Sequence, residues 1–202
     1  MKSEIINEKT SIPLNSHSRI GLDERVRFLR SLKNQIKLNE EHIYEALDLD
    51  LKKPRFETYA TEIGFLLNEI ELFIKKLKRW SKPQRIRPAL INFPSKDYII
   101  FEPYGKVLVI SPWNYPFQLA LLPAMSAFAA GNSVVLKPSE HTPNTSRLVK
   151  KIVEKVFPTE VMSVVEGDSK TASKLLEKKW DYIFFTGSVK IGEIVAMAAA
   201  KK

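Results

Sequence analysis

The segment GNSVVLKPSEHTPNTSRLVKKIV, residues 131–153, decides the fold class. Its apolar run, Ser133–Lys137, has no alternating polar positions and is typical of a strand that is buried on both faces. Gly131, just before this run, is the residue type that commonly ends a helix. A polar turn follows the run, and Pro143 then stands where the first turn of a helix accepts a proline. The segment therefore predicts the end of a helix, a buried strand and a second helix in succession.

The same alternation of strand and helix continues through residues 105–202. The predicted strands are Lys106–Ile110, Ser133–Lys137, Met162–Val165 and Asp181–Phe185. The predicted helices are Pro116–Ala130, Pro143–Phe157, Asp168–Lys178 and a last one that begins at Ser188. Four such repeats predict an α/β domain with a Rossmann-like parallel sheet and helices on both of its faces. The strands of such a sheet are expected to be buried on both sides.

A helical segment precedes this domain, within residues 1–94. Apolar residues recur at helical spacing in three stretches from about Ser18 to Lys82. The third stretch predicts one long helix, because no proline interrupts it before Pro83. Residues 83–94, rich in proline and basic residues, predict a linker. Asp97–Glu102 predicts a strand whose pairing partner is expected outside this chain.

The composition excludes some kinds of site. The 202 residues include no cysteine, which rules out disulfides, thiolate metal sites and a cysteine nucleophile within the chain. The net charge is +9, but the basic residues are interspersed with carboxylates, as in Asp23-Glu24-Arg25. This pattern favours a solubilising surface over nucleic-acid binding. A cytoplasmic location is expected, because no stretch could span a membrane and Met1–Glu4 lacks the apolar region of a secretory signal.

Polar and aromatic residues are concentrated in the loops that follow the predicted strands. The carboxyl ends of parallel strands share one edge of the sheet, where ligands bind. The loops expected there are Ser-Pro-Trp-Asn (111–114), Pro-Ser-Glu (138–140), Glu-Gly-Asp (166–168) and Thr-Gly-Ser (186–188). The sequence therefore predicts a binding crevice at this edge, and it predicts no metal site.

Three loop motifs together resemble the aldehyde dehydrogenase superfamily. They are Ser-Pro-Trp-Asn-Tyr-Pro (111–116), Leu-Lys-Pro-Ser-Glu (136–140) and Phe-Phe-Thr-Gly-Ser (184–188). The chain looks most like the N-terminal part of the branch that acts on medium-chain, long-chain and aromatic aldehydes, and the similarity runs from about Asp23 to Lys202. The resemblance implies NAD(P)-dependent oxidation of aldehydes to carboxylic acids. It also implies that residues 105–202 bind the dinucleotide, that residues 95–104 form an oligomerisation-type strand, and that the complete enzyme is a homodimer.

The nucleotide contacts have two interpretations each at the level of sequence. By itself, Gly187-Ser188 is better explained as a strand-to-helix turn with Ser188 as the N-cap, and Lys137 with Glu140 can be a surface ion pair. The resemblance implies instead that the Gly-Ser turn binds the pyrophosphate and that Lys137 and Glu140 contact the adenosine ribose. A carboxylate at the ribose favours NAD, and NADP remains an alternative because a lysine is adjacent. The full set of expected nucleotide contacts is Ile110, Ser111, Pro112, Trp113, Lys137, Ser139, Glu140, Gly167, Thr186, Gly187, Ser188 and Val189, where Val189 replaces the family's usual threonine.

Asn114 is the expected catalytic residue. A single asparagine in a loop is generally a turn former, but the flanking Pro112-Trp113 and Tyr115-Pro116 match the family's oxyanion-hole asparagine. An amide donor at such a position contributes roughly 10²–10³ to the rate of comparable reactions. The resemblance also implies that Tyr115 and Leu119 line the aldehyde pocket.

The resemblance implies that the family's general-base glutamate lies on a strand just after the last helix of this chain, and that the nucleophilic cysteine follows in a separate catalytic domain. Both are expected to be absent from this chain. We therefore expect a chain that is inactive by itself. One alternative is a non-catalytic nucleotide-binding module, and another is a partial product of an ordinary enzyme. A basic nucleic-acid binder is a further alternative, which predicts steep salt dependence of binding.

Overall fold

The computed structural model describes residues 20–201. Expectations that concern Met1–Glu4 and the rest of the first 19 residues lie outside this range. The N-terminal part consists of α1 (Leu22–Leu38), α2 (Glu40–Leu51), α3 (Arg55–Thr58), a π turn (Tyr59–Ile63) and α4 (Gly64–Trp80). Helical backbone continues from α3 through the π turn into α4, so the prediction of one long helix is confirmed.

The apolar stripes of these helices form the main core. The apolar stripe of α1 is buried and consists of Val26, Leu29, Leu32 and Ile36. The stripe of α2 consists of the buried Ile43, Ala46 and Leu47 and the partly buried Leu51. These side chains pack against apolar residues of the sheet and of its first two helices within a single cluster. The N-terminal helices and the sheet therefore share one hydrophobic core.

A two-stranded hairpin corrects two expectations. Its strands, β1 (Gln84–Ile86) and β2 (Asp97–Ile99), pair antiparallel with Arg85 opposite Tyr98. The interpretation of residues 83–94 as a linker is wrong for β1, and β2 finds its partner inside the chain. Proline cannot donate to a β ladder, but Pro83 and Pro88 lie outside the three paired residues and leave them free to pair. A 3₁₀ turn, Leu90–Asn92, lies between the strands.

The main sheet has the predicted parallel architecture. Its strands are β3 (Lys106–Ile110), β4 (Ser133–Lys137), β5 (Met162–Val164) and β6 (Tyr182–Phe185), in the order β5-β4-β3-β6. The helices between and after them are α5 (Gln118–Ala129), α6 (Pro143–Val156), α7 (Ser169–Leu176) and α8 (Val189–Ala200). Within residues 20–201, no helix is long and apolar enough to cross a bilayer.

Helices cover both faces of the sheet, as predicted. Val107 and Val109 of β3 point into the main core, whereas Leu108 and Ile110 join a second cluster with Leu175 of α7 and Val195 of α8. The expectation that every strand is buried on both sides is wrong for one strand. In β6, Tyr182 is 44% exposed and Phe184 is 38% exposed. The physical reason is that β6 is an edge strand, and within the described residues only one of its faces is covered by α7 and α8.

A carboxylate from the N-terminal helices caps α6. Asp50, near the end of α2, accepts hydrogen bonds from the backbone N–H groups of Asn144 and Thr145 at 3.1 and 2.7 Å. It also accepts from the Asn144 amide and the Thr145 hydroxyl, both at 2.8 Å. The first N–H groups of a helix have no acceptor within the helix, so Asp50 supplies the missing partner. This contact links residues almost a hundred positions apart in the sequence.

The Asp50 cap can be tested by substitution. Asp50→Ala should lower the free energy of unfolding by about 2 kcal/mol, because four donors lose a charged acceptor. Urea denaturation followed by circular dichroism measures the change. Asp48→Ala, two residues earlier on the exposed face of α2, is the matched control and should change stability by less than about 0.5 kcal/mol. Equal losses in the two variants would contradict the capping role.

Candidate functional site

The loops predicted to form a crevice meet at the carboxyl edge of the sheet. From β3 the chain moves outward through β4 to β5 and then returns to place β6 on the other side of β3. The point where the strand order reverses is the place where parallel α/β sheets bind ligands. It lies between β3 and β6, so the loops at residues 111–117 and 186–188 flank it.

Backbone hydrogen bonds bring three of the four loops together. The N–H of Ser111 donates to the carbonyl of Lys137 at 3.1 Å, and the N–H of Thr186 donates to the carbonyl of Ile110 at 3.1 Å. The predicted contacts after β3, β4 and β6 therefore stand side by side. Gly167 follows β5, which is three strand positions away from β6, so the structure places it at the far end of the edge.

Ser111 has a hydroxyl that the protein does not satisfy. The residue is 6% exposed, and its Oγ has no hydrogen-bond partner within the described chain. Buried polar atoms in native proteins are almost always paired, so an unpaired one requires an explanation. At a ligand-binding edge, a polar group of a ligand is a suitable partner for this hydroxyl.

Lys137 and Glu140 form an ion pair that is more buried than a surface pair. The Lys137 Nζ lies 2.6 Å from Glu140 Oε2, and the two side chains are 4% and 34% exposed. Burial is the largest single effect and opposes ionisation of Glu140, but the hydrogen bond from Lys137, a backbone hydrogen bond and the positive charge of Lys137 together lower the pKa of the carboxyl below its ordinary value. The carboxylate is therefore ionised at neutral pH and extends to solvent at the edge.

The neighbouring turn is held by its own hydroxyl groups. Ser139 Oγ accepts a hydrogen bond from the backbone N–H of His141 at 3.2 Å. The carbonyl of Ser139 accepts from the hydroxyl of Ser146 at 2.8 Å, which joins the turn to α6. The buried Ser139 therefore fixes the loop that carries Glu140.

Gly167 has a local structural requirement. Its φ of +146° is strained for any residue with a side chain, and a Cβ there would lie 2.3 Å from Thr171 Oγ1. The next residue, Asp168, is the N-cap of α7 and accepts from the backbone N–H groups of Lys170 and Thr171. These hydrogen bonds, that from Thr171 first, hold the pKa of Asp168 below its ordinary value. The contacts of Gly167 thus explain the turn by themselves.

The Gly187-Ser188 turn differs from an ordinary capped helix start. Ser188 occupies the N-cap position of α8, but its side chain makes no capping hydrogen bond. Ser188 and Val189 are exposed, so the start of α8 is open to solvent. A Cβ at Gly187 would lie 2.5 Å from the ring of Phe185, which explains why glycine is needed there. The open N–H groups and the helix dipole suit an anion such as phosphate.

Asn114 is exposed and lies at the start of the loop after β3. Its backbone carbonyl accepts a hydrogen bond from Lys53 Nζ at 3.3 Å. The same Nζ lies 4.3 Å from the ring centroid of Tyr115. Lys53 in turn pairs with Glu62 in the π turn. Neither Lys53 nor Glu62 was predicted from the sequence to be a functional residue. The one signal in the sequence was that Glu62 lies beside the apolar Ile63 in a helical stretch, where a carboxylate is unusual.

The two expected aldehyde-pocket residues, Tyr115 and Leu119, have different surroundings. Leu119 lines a largely apolar cavity of about 360 Å³ between α5 and β6, together with Phe184 and Thr186. Tyr115 is not part of its lining and lies against Lys53 instead. Within residues 20–201, no cluster of histidine and acidic side chains could hold a metal ion.

Comparison with known proteins identifies the family. The sequence model that describes the aldehyde dehydrogenase family matches residues 9–202 of this chain. The chain belongs to the aldehyde dehydrogenase family. The resemblance inferred from the three loop motifs is therefore confirmed.

Aldehyde dehydrogenases of family 3 are among the similar curated proteins. The chain is 45% identical over 173 residues to the 4,4'-diaponeurosporen-aldehyde dehydrogenase of Staphylococcus aureus. The aligned region covers 86% of this chain and 38% of that protein. It is 45% identical over 181 residues to aldehyde dehydrogenase family 3 member H1 of Arabidopsis thaliana, which covers 90% of this chain and 37% of that protein. The chain thus spans less than half the length of these relatives, and it matches their N-terminal part.

Solved aldehyde dehydrogenase structures confirm the predicted fold class. The substrate-bound state of Staphylococcus aureus AldH matches with a TM-score of 0.93 at 41% identity, and the match covers 98% of this chain and 44% of that one. The NAD⁺ complex of an aldehyde dehydrogenase from Bacillus cereus matches with a TM-score of 0.78 at 25% identity, covering 90% and 37%. The α/β fold with a parallel sheet and flanking helices is that of the aldehyde dehydrogenases.

The Lys137–Glu140 pair generates a pH-dependent prediction. Because the folded pKa of Glu140 is lowered from 4.5, the pair contributes stability above pH of about 4.5, and this contribution is lost as the pH falls through the lower folded value. The difference in free energy of unfolding between the wild type and Glu140→Gln should therefore shrink between pH 7 and pH 3. Urea denaturation at each pH measures it. A difference that stays constant over this range would show that the pair does not form.

Proposed function

We propose that this chain forms the dinucleotide-binding part of an aldehyde dehydrogenase, an enzyme that oxidises aldehydes to carboxylic acids with a nicotinamide cofactor. The observation that carries the proposal is the open start of α8, which follows β6 at the point where the strand order reverses. Family membership supplies the reaction class.

The residues at the edge fit a dinucleotide. The pyrophosphate would interact with the N–H groups of Gly187, Ser188 and Val189, where the helix dipole favours negative charge. Lys137 and Glu140 would contact the adenosine ribose from the adjacent loop. The other proposed contacts come from the residues at the carboxyl ends of all four strands. They are Ile110, Ser111, Pro112 and Trp113 at β3, Ser139 after β4, Gly167 after β5 and Thr186 after β6.

NAD is the cofactor that the charges favour. The ionised Glu140 carboxylate repels a 2′-phosphate, whereas it can accept hydrogen bonds from free ribose hydroxyls. Similar solved structures include an NAD⁺ complex from Bacillus cereus and an NADP-dependent enzyme from E. coli, so the preference for NAD rests on the charge of Glu140. Lys137 offers a compensating positive charge, so NADP is the second candidate. The bound nicotinamide would accept the hydride from the substrate.

Asn114 is proposed as the catalytic residue of this chain. Its exposed side-chain amide would donate a hydrogen bond to the oxyanion that forms when a nucleophile attacks the aldehyde carbonyl. Leu119 and Tyr115 would contact the aldehyde from two sides. The chain contains no cysteine, so the family's thiolate would have to come from another part of the enzyme. We therefore propose that the chain by itself binds the cofactor without oxidising aldehyde. The proposed location is the cytoplasm.

Calorimetry with NAD tests this proposal. The wild-type chain should release or absorb heat on binding NAD, and Lys137→Met should weaken the affinity about tenfold because a ribose donor is lost. Lys151→Met, on the exposed face of α6, is the matched control and should bind as the wild type does. Glu140→Gln should narrow the difference between the affinities for NAD and NADP.

Two outcomes would contradict separate parts of the proposal. Absence of heat at millimolar NAD and NADP would remove the nucleotide-binding role. Oxidation of hexanal by the purified chain at enzymatic rates would remove the claim that it is inactive alone. Binding without turnover is also what a non-catalytic nucleotide-binding module predicts, and restoration of turnover by the remaining part of the enzyme would distinguish the two.

A homodimer of the complete enzyme is proposed from the hairpin. Its tip exposes three large apolar side chains, with Leu90 94%, Ile91 91% and Phe93 78% exposed. A concentration of exposed apolar side chains of this kind marks an interaction surface.

The hairpin proposal is tested in the complete enzyme. Replacing Leu90 and Ile91 by serine should convert a dimer into a monomer, because the substitutions remove apolar area that the interface would bury. Sedimentation velocity measures the oligomeric state. The matched control is Leu38→Ser, which removes another exposed leucine at the end of α1. A dimer that survives both hairpin substitutions would contradict the assignment.

A further inference from the structure

Two charged side chains from the N-terminal helices hold the turn that carries Asn114. Lys53 lies between α2 and α3, and Glu62 lies in the π turn. Lys53 Nζ and Glu62 Oε1 are 2.5 Å apart, and the two side chains are 6% and 0% exposed. Neither residue is among the proposed cofactor or substrate contacts. A fully buried ion pair beside the catalytic turn therefore needs its own explanation.

Glu62 fixes the end of the turn where it passes into α5. Its second oxygen, Oε2, accepts hydrogen bonds from the backbone N–H groups of Phe117 and Gln118 at 2.9 and 3.3 Å. Helix geometry leaves these first N–H groups without acceptors inside the helix. A negative charge at this position is also favoured by the helix dipole.

Lys53 fixes the beginning of the turn. Besides its bond to Glu62, its Nζ donates to the carbonyl of Asn114 at 3.3 Å and lies 4.3 Å from the ring centroid of Tyr115. The ammonium group thus contacts two consecutive residues of the turn. Together, the two side chains contact the turn on both sides of Pro116.

The energetics of buried ion pairs favour a geometric role. Desolvation of two charges offsets much of their attraction, and apolar side chains of similar volume often give equal or greater stability. Apolar side chains could not bind the carbonyl of Asn114 or the N–H of Phe117. The π turn, a feature frequent at functional sites, brings Glu62 into the interior at the cost of irregular helix geometry.

We propose that Lys53 and Glu62 are positioning residues that fix the backbone of the Asn114 turn in advance of the reaction. Preorganised donors stabilise an oxyanion because they need no rearrangement when the charge develops. The catalytic consequence rests on the proposed function of Asn114, whereas the positioning of the turn does not.

Fluorine NMR of the chain labelled with 5-fluorotryptophan tests the proposal. The chain has three tryptophans, of which Trp113 adjoins Asn114, and Trp→Phe substitutions assign the three resonances. The double substitution K53M/E62Q removes both charges together and leaves an amide oxygen that can accept from α5. It should shift or broaden the Trp113 resonance and accelerate hydrogen exchange at the Phe117 amide about tenfold, because the amide of Gln is a weaker acceptor than the carboxylate of Glu62. The resonances of Trp80 and Trp180 should remain in place.

The control breaks a less buried ion pair that has the same N–O distance and lies elsewhere in the chain. Lys33 Nζ lies 2.5 Å from Glu71 Oε2 between α1 and α4, and Lys33→Met should leave the Trp113 resonance unchanged. An unchanged Trp113 resonance in K53M/E62Q would overturn the proposal. So would equal changes at all three tryptophans in proportion to lost stability, because a purely structural pair would act on the whole fold.

The wild-type chain provides a test that needs no variant. The amides of Phe117 and Gln118 should exchange as slowly as those of the buried strand β3, since Glu62 holds them. Exchange as fast as that of the amide of Lys179, in an exposed loop, would overturn the proposal. These measurements involve neither NAD nor aldehyde, so failure of nucleotide binding and failure of positioning would be separate results.

Discussion

Carboxylates that bind the first N–H groups of helices organise this molecule. In a parallel α/β sheet the helices begin at the same edge, and each beginning leaves N–H groups that need acceptors. Glu62 satisfies α5, Asp50 satisfies α6 and Asp168 satisfies α7. Two of these three acids come from the N-terminal helices. Those helices are therefore tied to the sheet by specific charged contacts as well as by the shared apolar core.

The start of α8 is the exception at this edge, and it gives the site its chemistry. Ser188 makes no capping hydrogen bond, and the turn is exposed at the carboxyl edge of the sheet. A helix start without a carboxylate retains its positive field and its free donors, which an anionic ligand can use. The same requirement for acceptors thus explains the rigid part of the edge and the part proposed to bind pyrophosphate. The loop of Asn114 lies between these two parts, held by Lys53 and Glu62.

Local patterns predicted most of the secondary structure. The bounds of β3 and β4 were predicted to the residue, because uninterrupted apolar runs with clear turn residues on both sides leave little choice. The strand β1 was missed because three residues between prolines carry no periodic signal. The exposure of Tyr182 and Phe184 was also missed, since a β-prone run cannot reveal whether its strand has a neighbour on both sides. The position of the loops at the carboxyl edge of the sheet was predicted correctly, but the Lys53–Glu62 pair was not predicted.

The amino-acid sequence was enough to predict the order of strands and helices in residues 105–202, the loops at the carboxyl edge of the sheet and the family to which the chain belongs. These follow from contiguous residues, because periodicity and loop motifs are written within a few turns or strands. Only the tertiary structure decided which acid meets which helix start. Glu62 and Phe117 are 55 residues apart and Asp50 and Thr145 are 95 apart, and several other acids on the same helices satisfy the same local pattern. The choice among them depends on how the helices pack on the sheet, which is a property of the folded core and of no single segment.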